Sequence, residues 1–409
     1  MREVNRIALG LVVPSLAQGG GVPSVARFVK DAALRSGRYR LILVSLAVSA
    51  RDPVHLGLVR PKSWFRGPDT APGEWDGLPY VRVGAVAGEL EFQRYRPRGV
   101  LRDALADCDL IQVVCGSPAP ANAVCGLGKP VAVQCATRAR VERRRRDAGP
   151  RGFGGWWRKT MTQVTDRLDD RALRSVDAIQ VENPWMFDYA QRLNAGRDVD
   201  LRYAPPGVDA RAFHPVGERD LGSDPYILCV GRLDDPRKNV ELLLEAYATM
   251  PEPLRDRTRL VLAGASGPGA VFWKRVASLG MEGRVSYVER PTRDALIALY
   301  QRATAFALPS DEEGLGVVLL EAMACGIPVV STRSGGPDGI ISDRTDGFLV
   351  PLDDARAMSD RLARLCSDKQ LNRSVGLAAR RTVERRYAEE VAAQAFVDMW
   401  DRLFVGSRR

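Results

Sequence analysis

The sequence predicts an α/β protein built from two successive doubly wound domains. Short runs rich in β-branched residues alternate with longer amphipathic runs over most of the chain, which is the pattern of βαβ units on a parallel sheet. The alternation stops at the Pro-rich segment 204–217 and then restarts. The length of 409 residues also exceeds the size at which a single hydrophobic core usually stops growing. We therefore expect two domains joined near residues 200–220.

Strands and helices alternate in both halves of the sequence. In the first half the predicted strands are 7–13, 41–46, 81–83, 110–114, 131–135 and 178–181, and helical periodicity covers 23–34 and 157–173. In the second half the predicted strands are 226–230, 259–263, 285–288, 303–308 and 328–331, and the predicted helices are 240–249, 270–279, 293–302 and 316–325. The last segments, 354–404, have a wholly helical pattern.

Composition and charge exclude several classes of protein. The net charge is +10, but segment 138–159 alone carries nine basic and two acidic residues, so a nucleic-acid footprint over the whole protein is not expected. Seven cysteines without a C-x-x-C pair and only two histidines argue against a zinc site or a disulfide framework and fit a reducing cytoplasm. No apolar stretch approaches the roughly 18 residues of a membrane span, and the N-terminal apolar run breaks at Pro14, which favours a strand over a signal peptide.

Two loops that follow predicted strands have the residues of ligand-binding turns. Gly20 and Gly21 lie between the first strand and a helix, where glycines let a ligand approach the backbone amides; a tight turn without a ligand remains the alternative. In the second half, Arg232 follows a strand and Lys238 precedes the next helix. Open α/β sheets bind ligands at this edge, and two fixed cations there suit a diphosphate.

The stretch DEEGLGVVLLEAMACGIP carries two glutamates, Glu313 and Glu321, eight residues apart. On a helix this spacing is roughly 12 Å, whereas the acid and base of a glycosidase lie roughly 5–9.5 Å apart. The two carboxylates are therefore predicted to hold two hydroxyl-bearing ends of one ligand. The amides of Gly314, Leu315 and Gly316 at the helix N-terminus suit phosphate or sugar oxygens between them. A ligand with hydroxyl groups at both ends and a diphosphate between them is a nucleotide diphosphate sugar, which is therefore the predicted ligand.

Glu321 stands within the almost entirely apolar run VVLLEAMACGIPVV. A buried carboxylate without a partner is costly, so we expect a hydrogen-bond partner for it. The alternative is that Glu313 only caps the helix and Glu321 is a solvated helix residue.

These motifs resemble those of the retaining glycosyltransferases of family 4, which have the GT-B fold of two facing Rossmann-like domains. Glu313 and Glu321 match the E-x7-E motif of that family, and ACGIPVV, SGGPDGI, VGRLDDPRKN and PPGVDARAFHP match its neighbouring segments in order. The match is dense over 204–404 and loose before it. The resemblance implies an acceptor-binding N-terminal domain at 1–204, a nucleotide-sugar-binding domain at 205–385, and a terminal helix at 386–409 that returns to the first domain.

The resemblance also implies a role for each matching residue. Arg232 and Lys238 would hold the diphosphate and assist catalysis. Glu313, with the amides of Gly314, Leu315 and Gly316, would hold the transferred sugar, and Glu321 would hold the ribose. Gly20 and Gly21 would face the diphosphate or the acceptor.

The sequence departs from the family pattern at one catalytic position. Many members carry a histidine where this chain has Cys135, Ala136 and Thr137, so no side chain is an obvious base. A front-face mechanism fits this departure, with the leaving phosphate taking the proton of the acceptor. We expect no metal and no cofactor, because the cations and amides suffice for the diphosphate of a UDP- or GDP-sugar donor.

The Arg-rich segment 138–159 contains Trp156 and Trp157. Cationic residues with interfacial aromatics suit an anionic membrane surface, so Arg138, Arg140, Arg143, Trp156 and Trp157 form a candidate patch for acceptor or membrane. A charged surface loop without a ligand is the alternative. The expected location is the cytoplasm, with a peripheral position at the inner face of the membrane left open.

The functional prediction is a retaining, metal-independent transfer of a hexosyl group from a UDP- or GDP-sugar to a glycan or lipid-linked acceptor in bacterial surface-polysaccharide assembly, without a nucleic-acid partner. Two alternatives remain. One is a GT-B nucleotide-sugar epimerase, and the other is a catalytically degenerate subunit that only binds the sugar nucleotide.

Overall fold

The computed structural model describes residues 6–16, 21–56, 68–149, 152–217 and 224–407. The chain forms two compact units. The first unit is Met1–Pro206 together with Ala392–Arg409, and the second is Gly207–Val391. Each unit contains a largely parallel β-sheet with helices between its strands, as the alternating sequence pattern predicts.

The first unit is built on an eight-stranded sheet in the order β3-β4-β2-β1-β5-β6-β7-β8. Its strands are β1 Ile7–Pro14, β2 Tyr39–Leu46, β3 Thr70–Trp75, β4 Leu78–Val83, β5 Leu110–Cys115, β6 Val131–Cys135, β7 Ala178–Val181 and β8 Asp200–Tyr203. Its helices are α1 Gly21–Arg35, α2 Gly99–Ala104, α3 Ala139–Glu142, α4 Arg144–Asp147, α5 Phe153–Ser175 and α6 Pro184–Leu193. One face of the sheet packs against α2, α5 and α6, and α1 covers part of the other.

All strand pairs of this sheet are parallel except β3 and β4, which form a hairpin that the sequence analysis did not predict. The hairpin turns at Asp76 and Gly77, which both have positive φ (52° and 74°), the conformation that suits tight hairpin turns. Strand β3 has the sequence TAPGEW, in which Pro72 and Gly73 hide the strand pattern. An edge position tolerates both residues.

The second unit is built on a six-stranded parallel sheet in the order β11-β10-β9-β12-β13-β14. Its strands are β9 Tyr226–Arg232, β10 Arg259–Ser266, β11 Val285–Glu289, β12 Ala305–Leu308, β13 Val329–Thr332 and β14 Phe348–Val350. Its helices are α7 Val240–Ala248, α8 Glu252–Arg255, α9 Ala270–Ser278, α10 Arg293–Arg302, α11 Val317–Ala324, α12 Gly336–Ile340, α13 Ala355–Ser367 and α14 Lys369–Thr382. The strand order reverses between β9 and β12, which makes the carboxyl ends of these two strands the switch point where doubly wound sheets bind ligands.

Arg380 of α14 fixes the segment that leads into the second unit. Its Nη1 donates hydrogen bonds to the carbonyl oxygens of Ala210 (3.0 Å), Phe213 (2.8 Å) and Ala324 (2.7 Å). The last of these carbonyls ends α11, where helix carbonyls lack partners within the helix. One side chain thus holds the Pro-rich segment against the helix that carries Glu321.

The final helix, α15 Glu389–Gly406, follows a π-helical turn at Val383–Tyr387. From Ala392 onward it packs on the sheet of the first unit, with Phe396 and Trp400 fully buried. The indole Nε1 of Trp400 donates to the Gln112 side-chain oxygen of β5 at 2.7 Å. The predicted return of the terminal helix to the first domain is confirmed.

Candidate functional site

Three loops meet at the switch point of the second sheet and form what we call the three-loop site. They are residues 233–239 after β9, residues 309–316 after β12 and residues 333–336 after β13. Backbone hydrogen bonds join them: the amide of Asp311 donates to the carbonyl of Arg237 (2.8 Å), and the amide of Glu313 donates to the carbonyl of Ser334 (2.9 Å). The amide of Gly336 donates back to the carbonyl of Glu313 at 2.9 Å. The backbone of Glu313 is therefore held from both sides.

Lys238 and Glu313 form an ion pair at the centre of the three-loop site. The Lys238 Nζ donates to Glu313 Oε1 at 2.6 Å, and the Ser310 hydroxyl donates to the same oxygen at 2.6 Å. Only 8% of the surface of Glu313 is exposed, and the side chain of Lys238 is 18% exposed. Two donors on one oxygen fix the orientation of the carboxylate. The structure thus brings together two residues that the sequence analysis assigned to one site across 75 positions of the chain.

Arg237 connects the first two loops and was not predicted as a site residue. Its guanidinium donates to Asp235 Oδ2 at 2.7 Å and to Glu312 Oε2 at 3.0 Å. Burial alone would raise the pKa of Asp235, but the hydrogen bonds and charge of Arg237 hold that pKa below its usual value. Asn239 adds a further connection, because its side-chain amide donates to Asp311 Oδ1 at 2.8 Å. These hydrogen bonds join the loop that carries Lys238 to the loop that carries Glu313.

Arg232 is the last residue of β9, and its side chain is 49% exposed. Its Nη2 lies 3.6 Å from Asp235 Oδ2, a carboxylate that Arg237 already holds at 2.7 Å. A long, solvated ion pair of this kind contributes little to stability. Arg232 thus places a cation at the carboxyl end of β9 that can reorient toward a ligand.

Two glycines allow the loops to approach each other closely. Gly316 precedes α11 with φ 89° and ψ 57°, a left-handed conformation that favours glycine. A Cβ on Gly336 would lie 2.4 Å from the carbonyl oxygen of Leu315, so only glycine fits there. Leu315 is buried beneath, while Gly314 is partly exposed. The turn 314–316 thus leads from Glu313 directly into the N-terminus of α11, where helix amides lack partners within the helix.

Glu321 lies on α11 and has the partner that its apolar surroundings predicted. The hydroxyl of Tyr300, a fully buried residue of α10, donates to Glu321 Oε2 at 2.8 Å. The ring of Tyr300 lies 5.9 Å from Phe213 and 5.8 Å from Phe306, so aromatic packing fixes the hydroxyl. Burial raises the pKa of Glu321 to about 7, although the hydrogen bond from Tyr300 and the charge of Arg293 act in the opposite direction.

The site residues missed from the sequence are Arg237, Ser310 and Tyr300. Ser310 stands three residues before Glu313, a spacing that could have suggested a contact. Tyr300 is separated from Glu321 by a strand and a loop, so only the fold brings the two together. Arg237 carries no local signal in a chain with 60 Lys and Arg.

The predicted glycines of the first unit are placed only in part. Gly20 lies outside the described residues. Gly21 is the first residue of α1, and a Cβ at this position would meet nothing within 4 Å. Helix α1 follows β1, whose neighbours β2 and β5 mark the point where the strand order of the first sheet reverses.

The predicted basic patch of the first unit is smaller than the sequence suggested. Arg138 donates to Asp170 at 2.8 Å and lies over the ring of Tyr189 at 4.1 Å, and Arg143 forms a two-pronged pair with Glu91. Both side chains are largely buried, so they form ion pairs inside the first unit and do not belong to a surface patch. Arg140 is exposed, and Trp156 and Trp157 are 60% and 42% exposed.

Across the residues that the structure describes, every helix is too short or too polar to cross a lipid bilayer.

Comparison with known proteins identifies the class of the second unit. Residues 215–382 match the family of glycosyl transferases group 1. A GDP-mannose-dependent alpha-(1-6)-phosphatidylinositol monomannoside mannosyltransferase of Mycolicibacterium smegmatis is 33% identical over 201 residues, which are 45% of this chain and 52% of that protein. A D-inositol 3-phosphate glycosyltransferase of Kribbella flavida is 36% identical over 190 residues, 44% of each chain. The chain spans about half the length of the curated relatives that it matches.

Solved structures share the fold over the whole chain. Sucrose-phosphate synthase from Thermosynechococcus elongatus has a TM-score of 0.72 at 21% identity and covers 98% of this chain and 100% of its own. The lipopolysaccharide glycosyltransferase WaaG has a TM-score of 0.63 at 17% identity, with 95% and 98% covered. The two units therefore have the GT-B fold. The segment 215–382 matches the group 1 glycosyl transferase family, and the resemblance to family 4 is confirmed.

Proposed function

We propose that the protein is a retaining glycosyltransferase that moves a hexosyl group from a nucleotide diphosphate sugar to a glycan or lipid-linked acceptor. The observation that carries this proposal is the ion pair of Lys238 and Glu313 at the switch point of the second sheet. A fixed carboxylate beside two cations offers acceptors for sugar hydroxyls and donors for a diphosphate within one site.

Each residue of the three-loop site has a proposed role in this reaction. Arg232 and Lys238 bind the diphosphate and neutralise the charge that develops on it as the sugar leaves. Glu313 accepts hydrogen bonds from the hydroxyls of the transferred sugar, and the turn 314–316 binds sugar or phosphate oxygens. Glu321, 21 residues after its partner Tyr300, binds the ribose hydroxyls.

The proposed chemistry needs no side-chain base and no metal. The bond between the anomeric carbon and the phosphate oxygen breaks, the acceptor oxygen bonds to that carbon on the same face, and the leaving phosphate takes the acceptor proton. The chain has two histidines, of which His55 is buried in the first unit and His214 is an exposed residue of the second unit. The cations of Arg232 and Lys238 supply the electrostatic stabilisation that the leaving diphosphate requires.

The names of the relatives narrow the donors and acceptors worth testing. One relative is GDP-mannose-dependent, and others act on inositol phosphates. We propose GDP-mannose as the first donor to test and UDP-glucose as the second. The proposed biological setting is the assembly of bacterial surface polysaccharide.

The donor is tested by a thermal-shift screen of nucleotide sugars followed by an assay of nucleotide release. A donor at 100 times its dissociation constant adds about 2.7 kcal/mol of stability. We expect slow release of GDP or UDP from the bound donor in the presence of EDTA. Tight binding without any turnover would instead support the sugar-nucleotide-binding subunit. Conversion of the sugar without loss of nucleotide would support the epimerase.

We also propose that the exposed tryptophans of α5 contact an anionic membrane surface. Trp156 and Trp157 are exposed beside the exposed arginines 144–146 of α4. Indole rings favour the headgroup region, and each basic residue near an anionic surface contributes about 1 kcal/mol.

We expect the chain to sediment with vesicles that contain phosphatidylglycerol, and binding to weaken in high salt. The change Trp156→Ala with Trp157→Ala should weaken vesicle binding, because it removes both exposed indole rings of α5. Val271→Ala removes an exposed apolar side chain of the second unit and is the matched control. Vesicle binding that the tryptophan changes leave intact would contradict this membrane contact.

A further inference from the structure

The sheet of the first unit ends in an edge strand, β8, that lies beside a groove. Among the strands that the structure describes, β8 pairs only with β7. The groove has a volume of about 720 Å³ and is lined by β8, the C-terminal part of α6 and the end of α15, all of which belong to the first unit. We call it the β8 groove. The outer backbone groups of an edge strand can pair with a further strand, so this groove is a candidate interaction surface.

The register of β8 against β7 determines which backbone groups point outward. The amide of Asp200 donates to the carbonyl of Asp177 at 3.4 Å, and the amide of Ala204 donates to the carbonyl of Val181 at 2.9 Å. The amide and carbonyl of one strand residue point to the same side, and the side alternates from residue to residue. The amide and carbonyl of Leu201, which lines the β8 groove, therefore point away from β7. Leu201 can exchange two backbone hydrogen bonds with one residue of an antiparallel strand.

Opposite charges flank Leu201 on the face of β8 that meets α15. Asp200 accepts a hydrogen bond from Arg202 Nε and, at 2.9 Å, one from Arg402 Nε of α15. The side chain of Arg202 is 50% exposed, and a guanidinium has more donors than this one bond uses. A carboxylate can likewise accept more hydrogen bonds than Asp200 accepts from the two arginines. This face of β8 thus presents a negative and a positive side chain that can each bind a further partner.

The opposite face of β8 is apolar. Val199 and Leu201 pack against the core beneath α6 and are only partly buried, as is Phe187 of α6. All three residues line the β8 groove. Partly covered apolar side chains are stabilised when a second apolar surface removes them from water. A strand that fits this edge therefore carries apolar side chains on one face and charged side chains on the other, which is the pattern of β8 itself.

An antiparallel copy of β8 matches this charge pattern in one register. With Leu201 opposite Leu201 of a second copy, Asp200 of each copy lies opposite Arg202 of the other. These two are non-hydrogen-bonded pairs, in which opposite side chains lie closest together. The two neighbouring registers place Arg202 opposite Arg202, or Asp200 opposite Asp200, and like charges directly opposite are destabilising. The charges of β8 therefore select the register that also uses the outward backbone groups of Leu201.

We propose that the β8 groove is a dimer interface, in which β8 of a second copy of this chain pairs antiparallel with β8 through Leu201. A two-fold axis at Leu201 repeats every contact, which is the symmetry of the commonest protein dimers. The other edge of the same sheet is less suited to such pairing, because β3 contains Pro72, which has no amide proton to donate. The interface lies outside the three-loop site and does not depend on the proposed transferase activity.

The test is analytical ultracentrifugation of the whole chain over a range of concentrations. The unchanged chain should sediment as a dimer that dissociates on dilution. Arg202→Asp places two acidic residues opposite each other at both ends of the pairing, and Asp200→Arg places two arginines there. We expect each variant alone to dimerise roughly ten- to a hundredfold more weakly, because two attractive cross-strand pairs become repulsive. A mixture of the two variants restores opposite charges at both positions, so with a fluorescent label on one of them a mixed dimer should form about as strongly as the original.

Two further variants complete the experiment. Arg192→Asp makes the same change of charge at an exposed residue of α6 outside the lining of the β8 groove, and it should leave the dimer unchanged. The chain with both Asp200→Arg and Arg202→Asp should pair with itself but not with the unchanged chain, and it decides the question if circular dichroism shows that a single variant does not fold. A chain that is monomeric at every concentration overturns the proposal. So does a dimer that both single changes leave intact, or a mixture of the folded single variants that does not associate.

Discussion

Replacing Glu313 by Gln should reduce glycosyl transfer by roughly a hundred- to a thousandfold, the effect of removing one fixed group that stabilises a transition state. Glutamine has nearly the same shape and can still accept the hydrogen bond from Ser310, which the carboxylate takes at 2.6 Å. It loses the negative charge that pairs with Lys238 and that accepts strongly from sugar hydroxyls. The measurement is the initial rate of transfer with the donor identified by the thermal-shift screen.

A double-mutant cycle with Lys238→Gln distinguishes a catalytic pair from two independent residues. If Lys238 and Glu313 act as one unit, the double variant should be about as slow as the slower single variant. Ser310→Ala is a graded control, because it removes one of the two donors on Glu313 Oε1 and leaves the ion pair. Full transfer activity in the Glu313→Gln variant would contradict the assignment of this residue.

Topology explains why the centre of the site could be predicted from the sequence. Arg232 ends β9, and Lys238 and Glu313 lie in the loops after β9 and β12; the carboxyl ends of parallel strands meet at one edge. The β-branched runs that predict those strands are unambiguous, since the strands are buried on both faces and read as continuous apolar segments. A residue at or just after the end of a predicted strand can therefore be placed at this edge from the local sequence alone.

The supporting contacts could not be predicted, because they join residues far apart in the chain. Arg138 bonds to Asp170 and Arg143 bonds to Glu91, so two residues that looked like members of a basic surface patch are internal ion pairs. A charge in the sequence shows its sign but not its partner. The same reason hid the bridge that Arg237 makes between Asp235 and Glu312.

The hydrogen-bond partner of Glu321 could be predicted only in part. The apolar run around Glu321 required a hydrogen-bond donor on physical grounds, but any polar residue of a neighbouring element could have supplied it. Tyr300 supplies it because aromatic contacts with Phe213 and Phe306 fix its ring. The sequence therefore predicted that a partner exists, and packing decided which residue it is.

The protonation of Glu321 should give the protein two pH dependences of opposite sign. The pKa of Glu321 in the folded chain is about 7, above its ordinary value of 4.5. A group whose folded pKa is raised contributes stability that is present below the unfolded pKa and is lost as the pH rises to the folded one. We therefore expect the free energy of unfolding to fall by about 1–3 kcal/mol between pH 4.5 and pH 7 because Glu321 ionises. Each unit of pKa shift corresponds to about 1.36 kcal/mol, and we reduce the total because Glu321 is partly exposed.

Donor affinity should change the other way over the same range. A carboxylate accepts hydrogen bonds from ribose hydroxyls more strongly than the protonated acid does, so the KM for the donor should fall as the pH rises through 7. The rate constant kcat should change little, because the ribose does not react. Glu321→Gln should remove both trends: the variant should be more stable than the unchanged chain at pH 8 but not at pH 4.5, and its KM should be high at every pH.

Other groups titrate in the same pH range, so the effect of Glu321 is measured as the difference between the Glu321→Gln variant and the unchanged chain at each pH. Burial also raises the pKa values of Asp169 and Glu182 in the first unit to about 7, and they contribute equally with and without the Glu321 change. Tyr300→Phe is the second control, because the Tyr300 hydrogen bond lowers the pKa of Glu321 and its loss should move the midpoint of the KM profile above 7. A KM profile that is the same for Glu321→Gln and the unchanged chain would exclude Glu321 from the donor site. A midpoint that Tyr300→Phe does not move would show that the hydroxyl of Tyr300 supports the fold of the second unit without tuning this carboxylate.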